Sequence, residues 1–275
     1  MKGRPEPADA ASPGGVTGRH PSPRRPSSPR ASVVLLLLLA APVFPTAARG
    51  GEWRVSPIRL DLGRDAKTGV VTVMNDGEEK LQLQISAPEW TQDAEGKDVY
   101  AESADLVYYP KMMAVDGKSE RIVRAGIRDP AAAREKAYRL FIEEIPAPRK
   151  SAGTNVAIAV RFGVPVFVKP LIEEPKAEIG PVAMDNGTVS ARVRNAGNVH
   201  FVIRAVTVTG RDSRGGAVFS KETGGWYLLA GASRSHATAI PPEICPNVTS
   251  VDVEVKTDKT TLAGRLNADR SMCPP

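Results

Sequence analysis

Beyond residue 48, two histidines, two cysteines and a few acidic pairs are the side chains whose types could carry catalysis or hold a metal. Neither His200 nor His236 has a second His, a Cys or an acid at metal-ligand spacing, which argues against a metal centre. His200 follows Asn195-Ala196-Gly197-Asn198-Val199 and opens a strand pattern, so it is expected as a turn histidine bonded to backbone. Glu143 and Glu144 are neighbours on a strand pattern and point to opposite faces, the wrong arrangement for a paired general acid and base. No G-x-S-x-G elbow, H-E-x-x-H pair or phosphate-cradling glycine loop occurs. Gly117-Lys118-Ser119 resembles the end of such a loop but lacks its upstream glycine and reads as a hairpin turn. The residues therefore predict no catalytic group, no metal and no cofactor, and the chain is not read as an enzyme.

The charge excess and both cysteines lie toward the two ends of the chain. The net charge is +6, but residues 1–48 hold six Lys or Arg against Glu6 and Asp9. Without them 31 basic residues face 29 acidic ones, so the basic character gives no support for nucleic-acid binding. Basic residues to Arg30, an apolar run from Val33 to Phe44 and Thr46-Ala47-Ala48 form the pattern of an export signal cut after Ala48. That run is too short for a membrane span, and no membrane insertion of the mature chain is expected. Cys245 and Cys273 in an exported chain point to a disulfide, with two unrelated buried cysteines as the alternative.

The mature chain is written in short alternating runs bounded by Gly, Asp, Asn or Pro, a pattern that predicts an all-β fold. Runs include Gly69–Met74, Leu81–Ala87, Arg121–Ile127, Tyr138–Ile145, Val156–Val168, Val189–Val193, Phe201–Thr209 and Val251–Val255. Asn75-Asp76-Gly77, Asp116-Gly117 and Asp185-Asn186-Gly187 are expected to turn through positive φ. Only Asp129–Lys136 reads as helical, for one or two turns. About seven strands fall on each side of Lys169–Pro175, whose two prolines suit a stiff hinge. The expected architecture is two tandem immunoglobulin-like β-sandwiches with a cleft between them, spanning residues 49–170 and 171–275.

Val156, Ile158, Val160 and Phe162 share one strand face, while Ala157, Ala159 and Arg161 share the other. Such a row is either an ordinary core strand or an edge strand offered to a partner by β-augmentation. In the second case three such side chains would supply on the order of 5–9 kcal/mol before ordering costs.

Read in order, Val55-Ser56-Pro57-Ile58-Arg59-Leu60, Val73-Met74-Asn75, Trp90, Ile122-Val123-Arg124, Tyr138-Arg139-Leu140-Phe141, Glu144-Ile145-Pro146 and Val164-Pro165-Val166-Phe167-Val168-Lys169-Pro170 resemble the periplasmic chaperones of the chaperone–usher pathway. That resemblance implies a periplasmic, ATP-independent chaperone. Its partners would be pilus or fibre subunits and an outer-membrane usher, with self-association of the free chain left open. The resemblance also implies strand donation to the subunit and a sandwich fold. By position, the resemblance implies that Val156, Ile158 and Val160 fill a subunit's groove and that Arg59 binds the subunit's terminal carboxylate. The family's second cleft anchor, a lysine, falls on Pro165, so either Arg59 acts alone or Arg161 substitutes. Glu135 and Lys169 fall on an interdomain ion pair. A secreted two-domain structural or adhesive module without a client is the rival reading.

Overall fold

The computed structural model describes residues 52–131, 133–146 and 159–275. The export signal expected over residues 1–48 lies outside them, as do Val156, Ile158 and the loop before them.

The first half contributes strands β1 (Trp53–Ser56), β2 (Leu60–Leu62), β3 (Thr68–Asn75), β4 (Leu81–Ser86), β5 (Glu89–Gln92), β6 (Asp98–Ala101), β7 (Leu106–Tyr109), β8 (Met112–Val115), β9 (Ser119–Ile127), β10 (Lys136–Glu144) and β11 (Arg161–Val168). One sheet runs β1-β3-β9-β7; the other runs β2-β11-β10-β4-β8, with β5 pairing β10 and β6 pairing β5. Alternation sends Val71, Val73, Leu83, Leu140, Ile142, Val164 and Val166 between the sheets, where each is essentially fully buried. At about 1.5–3 kcal/mol per side chain, this row stabilises the sandwich more than any surface ion pair can.

The second half contributes β12 (Ala177–Ile179), β13 (Ala183–Asp185), β14 (Thr188–Asn195), β15 (Phe201–Arg211), β16 (Ala217–Gly224), β17 (Tyr227–Leu228), β18 (Ser233–Ala239), β19 (Ser250–Thr257) and β20 (Thr261–Asn267). One sheet holds β12, β13 and β18 around β14; the other runs β16-β15-β19-β20 with β17 beside β15. Phe201, Ile203, Leu228, Val251 and Val255 fill its core. Cys245 and Cys273 are bonded, with Cα atoms 5.8 Å apart, and join the short turns Cys245–Asn247 and Arg270–Met272.

The two sandwiches share one structural device. Asn75 ends β3 and is almost fully buried; its Nδ2 donates to the carbonyls of Glu79, Val115 and Asp116, and its Oδ1 accepts from Gly77 N. Asn195 ends β14 in the same way, with Nδ2 donating to Val199 O (2.8 Å) and Leu228 O (3.0 Å) and Oδ1 accepting from Gly197 N (3.0 Å). Each amide ties together main-chain groups on both sides of its turn, and the glycine N–H it accepts from is shared with a main-chain carbonyl, Glu52 O for Gly77 and Lys176 O for Gly197.

Three local expectations change. The Asp129–Lys136 segment forms no helix in its described residues, because its backbone is bound elsewhere: Glu135 N donates to Asn198 O, and Asn198 Nδ2 donates to Ala133 O. Asn186 and Gly187 do turn through positive φ, but Asn75, Gly77 and Gly117 do not; Lys118 does, at 55°. Gly117 is required instead by close approach, since a Cβ there would fall 2.1 Å from Glu78 O. The turn at Gly117-Lys118 joins β8 in one sheet to β9 in the other, so it is a corner between sheets rather than a hairpin.

Candidate functional site

Strand β11 pairs antiparallel with β10 over Arg161–Val168 and parallel with β2 over Val166–Val168 alone. On the β2 side, residues Arg161–Pro165 have no strand partner among the described residues. This five-residue gap leaves that side of β11 as an open sheet edge. Upstream, Val160 is half-buried against the first core, and Phe162 packs edge-on to Trp53 at 4.6 Å. The described end of the apolar row is therefore turned into the mouth of its own sandwich. Arg161 lies on the opposite face, with its guanidinium 3.6 Å from the Phe141 ring centre and 3.4 Å from Glu143 across the ladder.

Arg59 follows the exposed Ile58 and lines a small cleft of about 90 Å³ with Asp61, Glu135, Lys169, Glu173, Val199, His200, Asp258 and Lys259. Arg161 is not among these residues, so the structure does not bring it beside Arg59. Arg59 Nε donates to Asp61 Oδ2 at 2.8 Å, while the side chain stays 43% exposed. A half-exposed guanidinium held by one nitrogen is placed to receive a carboxylate, in competition with Asp61.

The ion pair expected between Glu135 and Lys169 is not formed. Glu135 instead meets His200 of the second sandwich, with Nδ1 at 2.8 and 2.9 Å from its two carboxylate oxygens and His200 N donating to Oε1 at 3.0 Å. The pair is buried, and the His200 ring stacks on Phe167 at 3.5 Å between centres. A flat ring fits beneath Phe167 while Lys169 stays on the rim, where it pairs with Glu173 at 2.9 Å. That hydrogen bond holds the lysine pKa above its ordinary value. His200 is therefore a junction residue, not a turn histidine bonded only to backbone.

A second group at the junction was not legible in the sequence. Trp90, Ala137, Phe167 and Leu229 form a small apolar cluster between the sandwiches. Gln92 Nε2 donates to Tyr227 O, its Oε1 accepts from Leu229 N, and Trp226 Nε1 donates to Asp98 Oδ2, each at 2.9 Å. The turn between β5 and β6 presses on β18 so closely that a Cβ on Gly96 would fall 2.6 Å from Ser233 O. Arg139 lies within this group, its guanidinium carbon 3.9 Å from the Trp90 ring centre. Its only signal in the sequence is a charge in the run Lys136–Glu144, where strand alternation gives it an ordinary outward position.

Residues 53–172 match the family described as Pili and flagellar-assembly chaperone, PapD N-terminal domain. No curated protein matches the chain. Among solved structures, it is similar to a chain of the CsuC-CsuE chaperone-tip adhesion subunit pre-assembly complex from the archaic chaperone-usher Csu pili of Acinetobacter baumannii. That likeness has 17% identity, covers 77% of this chain and 97% of the other, and has a TM-score of 0.55. The YadV chaperone is similar at 12% identity, 79% and 100% coverage, and a TM-score of 0.54. The complex of Salmonella enterica SafA pilin with the SafB chaperone is similar at 13% identity, 81% and 99% coverage, and a TM-score of 0.51. At these identities the likeness establishes the fold, two β-sandwiches in tandem. Residues 53–172 therefore match the N-terminal domain of the pili and flagellar-assembly chaperones, and the fold likeness runs on through the second sandwich.

Proposed function

We propose that this protein is a periplasmic chaperone that captures an incomplete immunoglobulin-like pilus subunit, lends it the edge of β11, and delivers it to an outer-membrane usher. The observation that carries this reading is the gap at Arg161–Pro165, where β11 has main-chain groups without a strand partner on its β2 side among the described residues. An incoming strand would pair there, with the apolar row Val156, Ile158 and Val160 filling its groove. Arg59, half-exposed and held by Asp61 through one nitrogen, would take the subunit's terminal carboxylate. Arg161 is engaged by Phe141 and Glu143, which leaves Arg59 as the anchor. No chemical step is required: the subunit completes its fold on the lent strand and later exchanges it.

The test is to tag the mature chain, recover it from the periplasm of its native host under fibre-forming conditions, and identify what co-elutes by mass spectrometry. A small immunoglobulin-like subunit at equal stoichiometry is the expected result. Reproducible recovery of the chain alone would replace this reading with that of a two-domain module without a client.

A further inference from the structure

The open edge of β11 does not run freely to the hinge. In the ladder with β10, Arg139 stands opposite Pro165, Phe141 opposite Gly163 and Glu143 opposite Arg161. Arg139 N donates away from β11, to Pro88 O at 3.0 Å, and Ile145 N likewise donates to Gln82 O at 2.8 Å. On the other strand, Lys169 N donates to Leu62 O at 2.8 Å, on the side of β11 away from β10. These pairs are therefore the non-hydrogen-bonded ones, and residues 161, 163 and 165 direct their main-chain groups to the open edge.

Two features close the far end of that edge. Pro165 has no N–H to give. The carbonyl of Gly163 is already engaged, accepting from Arg139 Nη1 at 3.3 Å. Arg139 can lie across the strand because Gly163 has no side chain: a Cβ there would meet Arg139 Cδ at 3.2 Å and Phe141 Cε1 at 3.1 Å. From Val166 onward β2 occupies the edge. The open stretch thus keeps only two donors, the amides of Arg161 and Gly163.

Arg139 is held firmly. It is 5% exposed, its guanidinium carbon is 3.9 Å from the Trp90 ring centre, and Trp226 and Tyr227 of the second sandwich stand 5.5 and 5.9 Å away. Its Nη2 is buried without a hydrogen-bond partner among the described residues. A buried guanidinium with an unpaired nitrogen is a poor way to stabilise a junction, where an apolar side chain of equal length would serve as well. Its position across the strand accounts for it better.

We propose that Arg139, Gly163 and Pro165 form a ladder stop, so that a subunit strand added to β11 pairs no further than Gly163, and that the second sandwich holds the stop in place through Trp226 and Tyr227. This rests on the strand-addition reading above and fixes where along β11 the added strand must end.

The test uses the complex of the tagged chaperone with the pilus subunit that co-purifies with it, compared by amide hydrogen exchange with the free chaperone. In the wild-type complex the amides of Arg161 and Gly163 should exchange more than tenfold slower than in the free protein. In the double variant Arg139→Met with Pro165→Thr, the amide introduced at position 165 should also become protected on binding. Subunit release should slow by roughly two- to tenfold, the effect of one added hydrogen bond. Thermal unfolding of the free variant serves as the check on its fold, and Gly163→Ala, which displaces Arg139 while keeping Pro165, provides a second variant in which release should also change. Capture intact in the double variant, with position 165 unprotected and release unchanged, would overturn the stop while leaving strand addition standing. Wild-type Arg161 and Gly163 amides left unprotected in a stable complex, or no capture at all, would overturn strand addition at this edge and the stop with it.

Discussion

Asn195 does more for the second sandwich than any charged residue on its surface. Its amide donates to two buried carbonyls and accepts from Gly197 N, which it shares with Lys176 O. Asn195→Ala should therefore lower stability by about 2–4 kcal/mol, read as a fall in the calorimetric unfolding midpoint. His236, on β18 of the same sandwich, makes that stability depend on pH. Burial, aided by the nearby Arg234 charge, holds its folded-state pKa below the ordinary 6.5. On acidification the unfolded chain takes up the proton first, so the stabilisation present above pH 6.5 is lost as the pH falls through that value. The unfolding midpoint of the wild type should drop between about pH 7 and pH 5, and His236→Gln should flatten that slope. Arg59 belongs to function rather than stability. Because its guanidinium is half-exposed, Arg59→Ala should leave the unfolding midpoint unchanged while weakening subunit capture roughly ten- to hundredfold, measured by titration calorimetry.

At the scale of elements, β11 carries two tasks at once. Its even-numbered residues Val164, Val166 and Val168 close the first core, while its odd-numbered residues turn their main-chain groups outward at the gap. The apolar row predicted upstream includes Ile158, whose side chain would enter the subunit's groove. Ile158→Asp should leave the chaperone folded, with an unchanged circular dichroism melt, yet reduce subunit capture more than a hundredfold, because an unpaired carboxylate would be buried in that groove. Normal capture by this variant would show that the row is not the lent surface. Of the expected run Val156–Val168, the strand Arg161–Val168 was legible because alternation survives on any strand with one buried face, while Val156 and Ile158 lie outside the described residues. The ladder stop was not, because it depends on which residue of β10 stands opposite Pro165, and that register is set by pairing rather than by either segment alone.

For the whole molecule, the two sandwiches are held by a mixed junction. A buried Glu135–His200 contact, the Phe167–His200 stack, the apolar cluster around Trp90 and the turn between β5 and β6 all cross it. With this many contacts the sandwiches should unfold in one cooperative step. The double variant His200→Ala with Trp226→Ala should separate this into two calorimetric transitions and speed proteolytic cleavage at residues 169–176 several-fold. A single transition in the variant would show that the remaining contacts suffice.

Alternating apolar residues, the turn residues between them and the proline-flanked hinge by themselves determined an all-β chain of two sandwiches, because one buried face per strand imposes a period of two wherever the strand ends up. The same sequence presented His200 as a turn residue, Glu135 as the partner of Lys169, and Arg139 as an outward charge. Only the tertiary structure gave His200 the Glu135 carboxylate 65 residues away and laid Arg139 across Gly163 beneath the aromatic residues of the second sandwich. Those partners depend on how two finished sandwiches dock and on the register of one ladder, and neither is encoded within a single stretch of chain.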